Sequence, residues 1–226
     1  MIKLLSVADI ITIMNATLGF LAILMIFSNQ FQLAASFILL GLLADGLDGI
    51  VARRIGNGQM GEYLETIADV LSLSAAPLIL LYKINYEKLI VHQWLQIVFV
   101  VVLIFNLICS LLRLSSFSVM KNRKYFVGLA TSASAIFLVL VSFLNIDPIY
   151  LIPFIALFGC LMISPIRFPK HGLKIDIVAT VFIVAVIILN TMYNNIALYL
   201  LLGALIVYVI GGPLYLKIKK DQPNGT

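Results

Sequence analysis

The chain has 226 residues, 62% of them hydrophobic and 11% charged, with a mean hydropathy of +1.13. That composition excludes an ordinary soluble domain, leaves no room for a separate one, and places the chain among polytopic membrane proteins. The net charge of +5 comes without a basic run interleaved with aromatics, so membrane topology accounts for it and no nucleic-acid partner is expected.

About 20 apolar residues suffice to cross a bilayer, and eight such segments follow one another at roughly 8–28, 31–54, 62–82, 92–116, 126–144, 148–166, 175–193 and 196–214. All are predicted to be helices, because lipid offers no hydrogen-bond partners to open backbone. With a cytoplasmic amino terminus, thirteen of the fifteen Lys and Arg residues fall on the cytoplasmic side and only Lys83 and Lys88 outside. This split predicts an even number of spans with both termini inside.

The first segment follows Lys3 but carries Asp9 and Asn15 and lacks a small-residue cleavage site, so it reads as a retained span. Ser6 to Asp9 matches a capping box, which makes Asp9 a cap. Asn15 and Gly19 share a face, open both to helix packing and to a nucleotide contact.

The second and third segments hold the chemistry. Between Asp45 and Asp69 lie five of the chain's ten acidic residues. An intramembrane carboxylate costs ~2.5–3.5 kcal/mol on an insertion scale, so four cost on the order of 10 kcal/mol unless cations or water compensate. Asp45 and Asp48 are three apart on one helix, with Gly49 and Ala52 continuing their face. Glu65 and Asp69 are four apart on the next, and the turn at Gly56, Asn57, Gly58 and Gly61 lets the two helices run antiparallel. Four oxygen donors without His or Cys favour Mg²⁺ or Mn²⁺ over zinc. Gly49 leaves room for a nucleotide or metal, and Arg53 can fork onto phosphate or pair with the acids. Arg54 reads as a topology charge, and Glu62 as a stabiliser of a helix start.

The fourth segment carries Asn106, Ser110 and Arg113 on one stripe, open to an active-site wall or to snorkelling of Arg113. Ser72, Ser74 and Pro77 suggest a site lining or a relieved kink. Thr131 to Ala135 reads as a close helix-packing face. Cys109 and Cys160 are expected to be buried thiols rather than a disulfide or zinc pair. The tyrosines Tyr193, Tyr199, Tyr208 and Tyr215 suit membrane interfaces or packing, and residues 221–226 read as a disordered tail.

The pattern Asp45-x-x-Asp48-Gly49-x-x-Ala52-Arg53, then Gly61-x-x-x-Glu65-x-x-x-Asp69, resembles the signature of the CDP-alcohol phosphatidyltransferases. Glu65 stands where that family normally has Asp, and the spacer from Arg53 to Gly61 is one residue shorter. Residues 113–117, 126–129 and 164–169 are similar to segments of its phosphatidylserine synthase and archaetidylserine synthase branch, with Ala130 where a proline is expected. The resemblance implies an all-α integral membrane protein with a six-helix core, which the eight apolar segments extend to about eight transmembrane helices. Residues 1–174 would form a six-helix core, 175–216 an additional helix pair, and 217–226 a cytoplasmic tail.

It further implies two divalent ions, Mg²⁺ or Mn²⁺, on Asp45, Asp48, Glu65 and Asp69, with Asp69 also the catalytic base. Gly49, Ala52 and Arg53 would bind the nucleotide and phosphates of CDP-diacylglycerol or CDP-archaeol. Arg113, Arg123 and Arg167 are candidates for the acceptor L-serine, and a homodimer in the lipid bilayer is expected. Glycerol phosphate or inositol phosphate are alternative acceptors. A cation-coupled transporter is disfavoured because the acids sit in one helix pair rather than in two related halves.

Overall fold

A computed structural model describes residues 5–56, 58, 60–120, 125–169 and 196–221. Helices α1 (Val7–Phe27) and α2 (Phe31–Ile55) form an antiparallel hairpin. Helix α3 (Gly61–Asp69) runs through a π-helical turn (Val70–Ala75) into α4 (Ala76–Ile90). Then come α5 (Gln93–Met120), α6 (Thr131–Ser142), α7 (Pro148–Ile163) and α8 (Ile196–Asp221).

Among the described residues four stretches are long and apolar enough to cross a membrane: Val7–Phe27, Phe31–Ala52, Gly61–Ile90 and Gln93–Ser116. The segments expected to span at 126–144 and 148–166 give shorter helices. The 12 residues of α6 make about 18 Å at 1.5 Å per residue, less than the ~30 Å hydrocarbon core. The expected span at 175–193 lies outside the described residues, and among the described residues there are four long apolar helices with shorter apolar ones.

The bundle is helical, as expected, but the helix expected to start at 126 starts at Thr131, because β1 (Tyr125–Val127) pairs antiparallel with β2 (Arg167–Pro169), Phe126 opposite Phe168. The reason lies in the residues that follow each helix. Gly128 takes φ +79, a left-handed conformation that glycine adopts without a Cβ penalty, and its N–H donates to the Ile166 carbonyl at 2.8 Å. Any Cβ there would collide with the Met162 carbonyl oxygen. The chain therefore turns in place of starting a helix at 126, and strand pairing satisfies the freed backbone groups.

Helix α1 buries mainly small and polar residues and turns most of its large apolar ones outward. The buried stripe of α1 is Ala8, Asp9, Thr12, Asn15, Gly19, Ala22 and Ile26, whereas Ile10, Ile13, Phe20 and Phe27 are exposed. Small residues let the helices approach closely in lipid, where hydrocarbon burial supplies no drive. A Cβ on Gly19 would stand 2.7 Å from the Ser72 Cα, and one on Gly41 3.4 Å from the Ser72 Cβ. α1, α2 and the π-helical turn thus meet backbone to backbone. As expected, Thr131, Ala133, Ser134 and Ala135 are buried in α6.

Helix ends are also explained locally. Ser6 and Asp9 form the expected capping box, with the Ser6 N–H donating to Asp9 Oδ2 at 2.7 Å and the Asp9 N–H to Ser6 Oγ at 3.2 Å. Gly56, at φ +94, ends α2.

Candidate functional site

The acidic pairs of α2 and α3 meet across the helix interface. Asp45 has Asp48, Glu65 and Asp69 as electrostatic neighbours, and Asp69 has Asp45, Glu65 and Asp48 around it. Asp48 and Asp69 are buried, Asp45 and Glu65 half-buried. Glu62 is exposed in the first turn of α3.

Two hydrogen bonds from α1 complete the cluster. Thr12 Oγ1 lies 2.6 Å from Asp48 Oδ2 and 3.1 Å from the Ala8 carbonyl, so its one hydroxyl hydrogen favours the carboxylate. Asn15 Nδ2 donates to Asp69 Oδ1 at 3.0 Å. Thr12 also lines a mostly apolar groove of about 320 Å³ between α1 and α3, with Ala16, Phe20, Leu64 and Ala68. Sequence reasoning passed over Thr12. Its signal was present in the spacing, since Thr12 lies three residues after Asp9 and three before Asn15 on one face.

The π-helical turn begins directly after Asp69, as such turns often do at functional sites. It takes the place of the kink that Ser72, Ser74 and Pro77 suggested. Ser72 is spent locally, its hydroxyl donating to the Ala68 carbonyl at 2.9 Å.

The donor set, all oxygen, suits a hard divalent cation in kind. Asn15 Oδ1 adds to that fit, because it is buried with no hydrogen-bond partner, and an amide oxygen is a ligand such ions accept. In arrangement the cluster is open: among the described residues no three Asp, Glu, His or Cys side chains converge as a metal cage. Like charges repel, so Asp48 and Asp69 each turn an oxygen to the nearest neutral donor, Thr12 and Asn15.

The remaining sequence-predicted residues are placed as follows. Gly49 and Ala52 are half-buried on α2, beside Asp48. The Arg53 side chain and all of Arg123 lie outside the described residues. Asn106, Ser110 and Arg113 are all buried. Asn106 Nδ2 donates to the Ile155 carbonyl at 2.9 Å, tying α5 to α7. Arg113 does not snorkel: its Nε donates to the Leu129 carbonyl at 3.3 Å, and it stands within electrostatic reach of Tyr208 on α8. Arg167 is exposed on β2. Both cysteines are free, but only Cys109 is buried; Cys160 is exposed on α7, a correction that follows from its place on the outward face. Tyr208 packs on Phe168, with ring centroids 5.8 Å apart.

In this helical membrane bundle the acids of two consecutive helices, Asp45 and Asp48 with Glu65 and Asp69, lie within electrostatic reach of one another. Residues 5–210 match the profile of the CDP-alcohol phosphatidyltransferases, and the chain belongs to that family. This is an enzyme family, which sets the transporter reading aside.

Among curated relatives, the chain is 39% identical over 178 residues to CDP-diacylglycerol–serine O-phosphatidyltransferase of Methanocaldococcus jannaschii, covering 77% of this chain and 79% of that one. It is 29% identical over 175 residues to archaetidylserine synthase of Methanothermobacter thermautotrophicus, covering 72% and 69%. It is also 29% identical over 230 residues to CDP-diacylglycerol–serine O-phosphatidyltransferase of Helicobacter pylori, covering 93% and 92%.

Proposed function

We propose that the protein transfers the phosphatidyl or archaetidyl group of a CDP-lipid to the hydroxyl of L-serine and releases CMP. The observation that carries this reading is the meeting of Asp45 and Asp48 with Glu65 and Asp69 inside a membrane bundle, in a chain whose relatives bear serine-transferase names.

In this reading Asp45, Asp48, Glu65 and Asp69 hold two divalent ions, Mg²⁺ or Mn²⁺. When bound, such ions neutralise a diphosphate and stabilise the departing nucleotide. Gly49 and Ala52 leave the α2 face low enough for the nucleotide, and Arg53 pairs with its phosphates. Asp69 accepts the proton of the serine hydroxyl as that oxygen bonds to the lipid-side phosphorus. The phosphorus–oxygen bond to CMP breaks at the same centre, and CMP leaves with the electron pair. Arg113, Arg123 and Arg167 are the candidate partners of the serine carboxylate.

We assign the chemistry to residues 1–174, a supporting helix pair to 175–216 and a tail to 217–226. The lopsided distribution of Lys and Arg supports eight spans with the site and both termini on the cytoplasmic side. A homodimer is proposed on the family resemblance.

The test is an acceptor screen on the purified protein with CDP-diacylglycerol and CDP-archaeol in parallel, reading CMP release and incorporation of labelled serine. Serine-dependent, Mg²⁺- or Mn²⁺-dependent CMP release is expected. Release with glycerol phosphate or inositol phosphate in place of serine would move the acceptor, and no CMP with any acceptor would reject the reading.

A further inference from the structure

Helix α1 contributes none of the four acids, yet it touches both acid-bearing helices at the site. Its two donors are Thr12 to Asp48 on α2 and Asn15 to Asp69 on α3, at 2.6 and 3.0 Å, all four side chains buried. The donors are three residues apart and lie on one face. One helix therefore fixes one carboxylate of each pair. Gly19, one turn beyond Asn15, sets the height of α1 by lying against the Ser72 backbone.

The polarity of these donors matters. A hydroxyl and a carboxamide occupy one oxygen without cancelling the charge, whereas Lys or Arg there would compete with a cation. Asn15 also leaves its own oxygen without a partner. That atom lies 3.0 Å from where a Gly41 Cβ would stand, one turn before Asp45 on the same helix. A buried acceptor with no donor, set beside gathered carboxylates, points to a cation or a cation-bound water as its missing partner.

We propose that Thr12 and Asn15 are positioning residues of the acidic site. They fix the orientations of Asp48 and Asp69 so that the free oxygens are presented to a hard divalent cation, with Asn15 Oδ1 turned toward the same cation or its water. The inference rests on the metal-binding reading above and extends it to a helix that carries none of the signature. Partners of metal ligands typically change affinity or activity 10–100-fold when removed, and an effect of about that size is expected here.

The experiment uses the full chain in detergent with Mn²⁺ as the probe. Binding is read from the loss of the free-ion electron paramagnetic resonance signal, alongside CMP release as a function of Mn²⁺ and of serine. Thr12→Val keeps the shape and removes the donor; Asn15→Leu removes donor and acceptor together; Thr12→Ser restores the hydroxyl. Thr12→Val and Asn15→Leu are expected to weaken Mn²⁺ binding about 10–100-fold with little change in the KM for serine, and Thr12→Ser to recover most of the affinity.

Mn²⁺ binding unchanged in both donor-less variants overturns the proposal and leaves the metal reading intact. Wild-type protein that neither binds Mn²⁺ nor releases CMP overturns the metal reading itself. Melting curves without Mn²⁺ separate a folding defect from a site defect. If either variant melts early, Thr12→Ala and Asn15→Ala carry the same expectation, and wild-type affinity in them overturns it equally.

Discussion

Two regions of this bundle bury charge, and they handle it in opposite ways. Around Asp45, Asp48, Glu65 and Asp69 like charges are gathered, and the neutral donors Thr12 and Asn15 bond Asp48 and Asp69. Around Arg113 a single cation is met by the Leu129 carbonyl and lies beside Tyr208. In the first arrangement carboxylates are clustered in a low-dielectric interior, where like charges repel strongly and a cation is favoured. The second draws its partners from the backbone and from α8. Buried charge alone therefore does not mark a functional site; the gathering of several like charges in one place is the more telling feature.

The sharpest way to break this contrast is at the acids. Asp69→Asn keeps the shape and removes both a ligand and the base, so turnover is expected to fall by about 10²–10⁴-fold, measured as CMP release at saturating Mn²⁺. At the third acidic position, Glu65→Ala is expected to abolish metal-dependent turnover and Glu65→Asp to retain or raise it. An unimpaired alanine variant would show that Glu65 is not a required ligand.

Next in size come the backbone contacts that hold each region. Gly128→Ala demands a left-handed residue with a Cβ against the Met162 carbonyl oxygen, and a loss of more than about 1 kcal/mol is expected in thermal melts. Gly19→Ala pushes α1 off Ser72 and is expected to lower Mn²⁺ affinity as well as stability, whereas Gly128→Ala should leave affinity in the folded fraction unchanged. Equal effects on affinity would erase the distinction between the two regions.

Arg113→Gln sharpens the comparison from the other side. Loss of the buried pairing is expected to cost about 1–3 kcal/mol of stability. A rise in the KM for serine beyond that would make Arg113 an acceptor ligand as well as a structural cation. The smallest effect is expected at Ser6→Ala, which removes half of the capping box of α1 for about 1 kcal/mol. It should leave the serine and Mn²⁺ dependences unaltered.

Much of this was legible in the residues because membranes simplify the code. Lipid forces backbone pairing within helices, so the first two spans could be placed within a residue or so of α1 and α2. The acids stood out because each is costly in an apolar run. The capping box was likewise readable, being a contact between residues three apart.

What the order of residues did not disclose depends on partners distant in sequence. Thr12 looks like any helix threonine until α2 brings Asp48 against it, 36 positions away. The same holds for Asn15 and Asp69, 54 apart. Arg113 read equally well as an interfacial snorkel, and only its pairing with Leu129 and the approach of α8 placed it inside. The β1–β2 pair was hidden because its apolar residues, Tyr125 to Val127, suit a helix or a strand; Gly128 and the carbonyls of Met162 and Ile166 decide between them. The sequence by itself determined which groups had to leave lipid, through transfer energies each residue carries alone. Only the tertiary structure decided which of them meet, because hydrogen bonds and close backbone approaches depend on the relative height and rotation of packed helices.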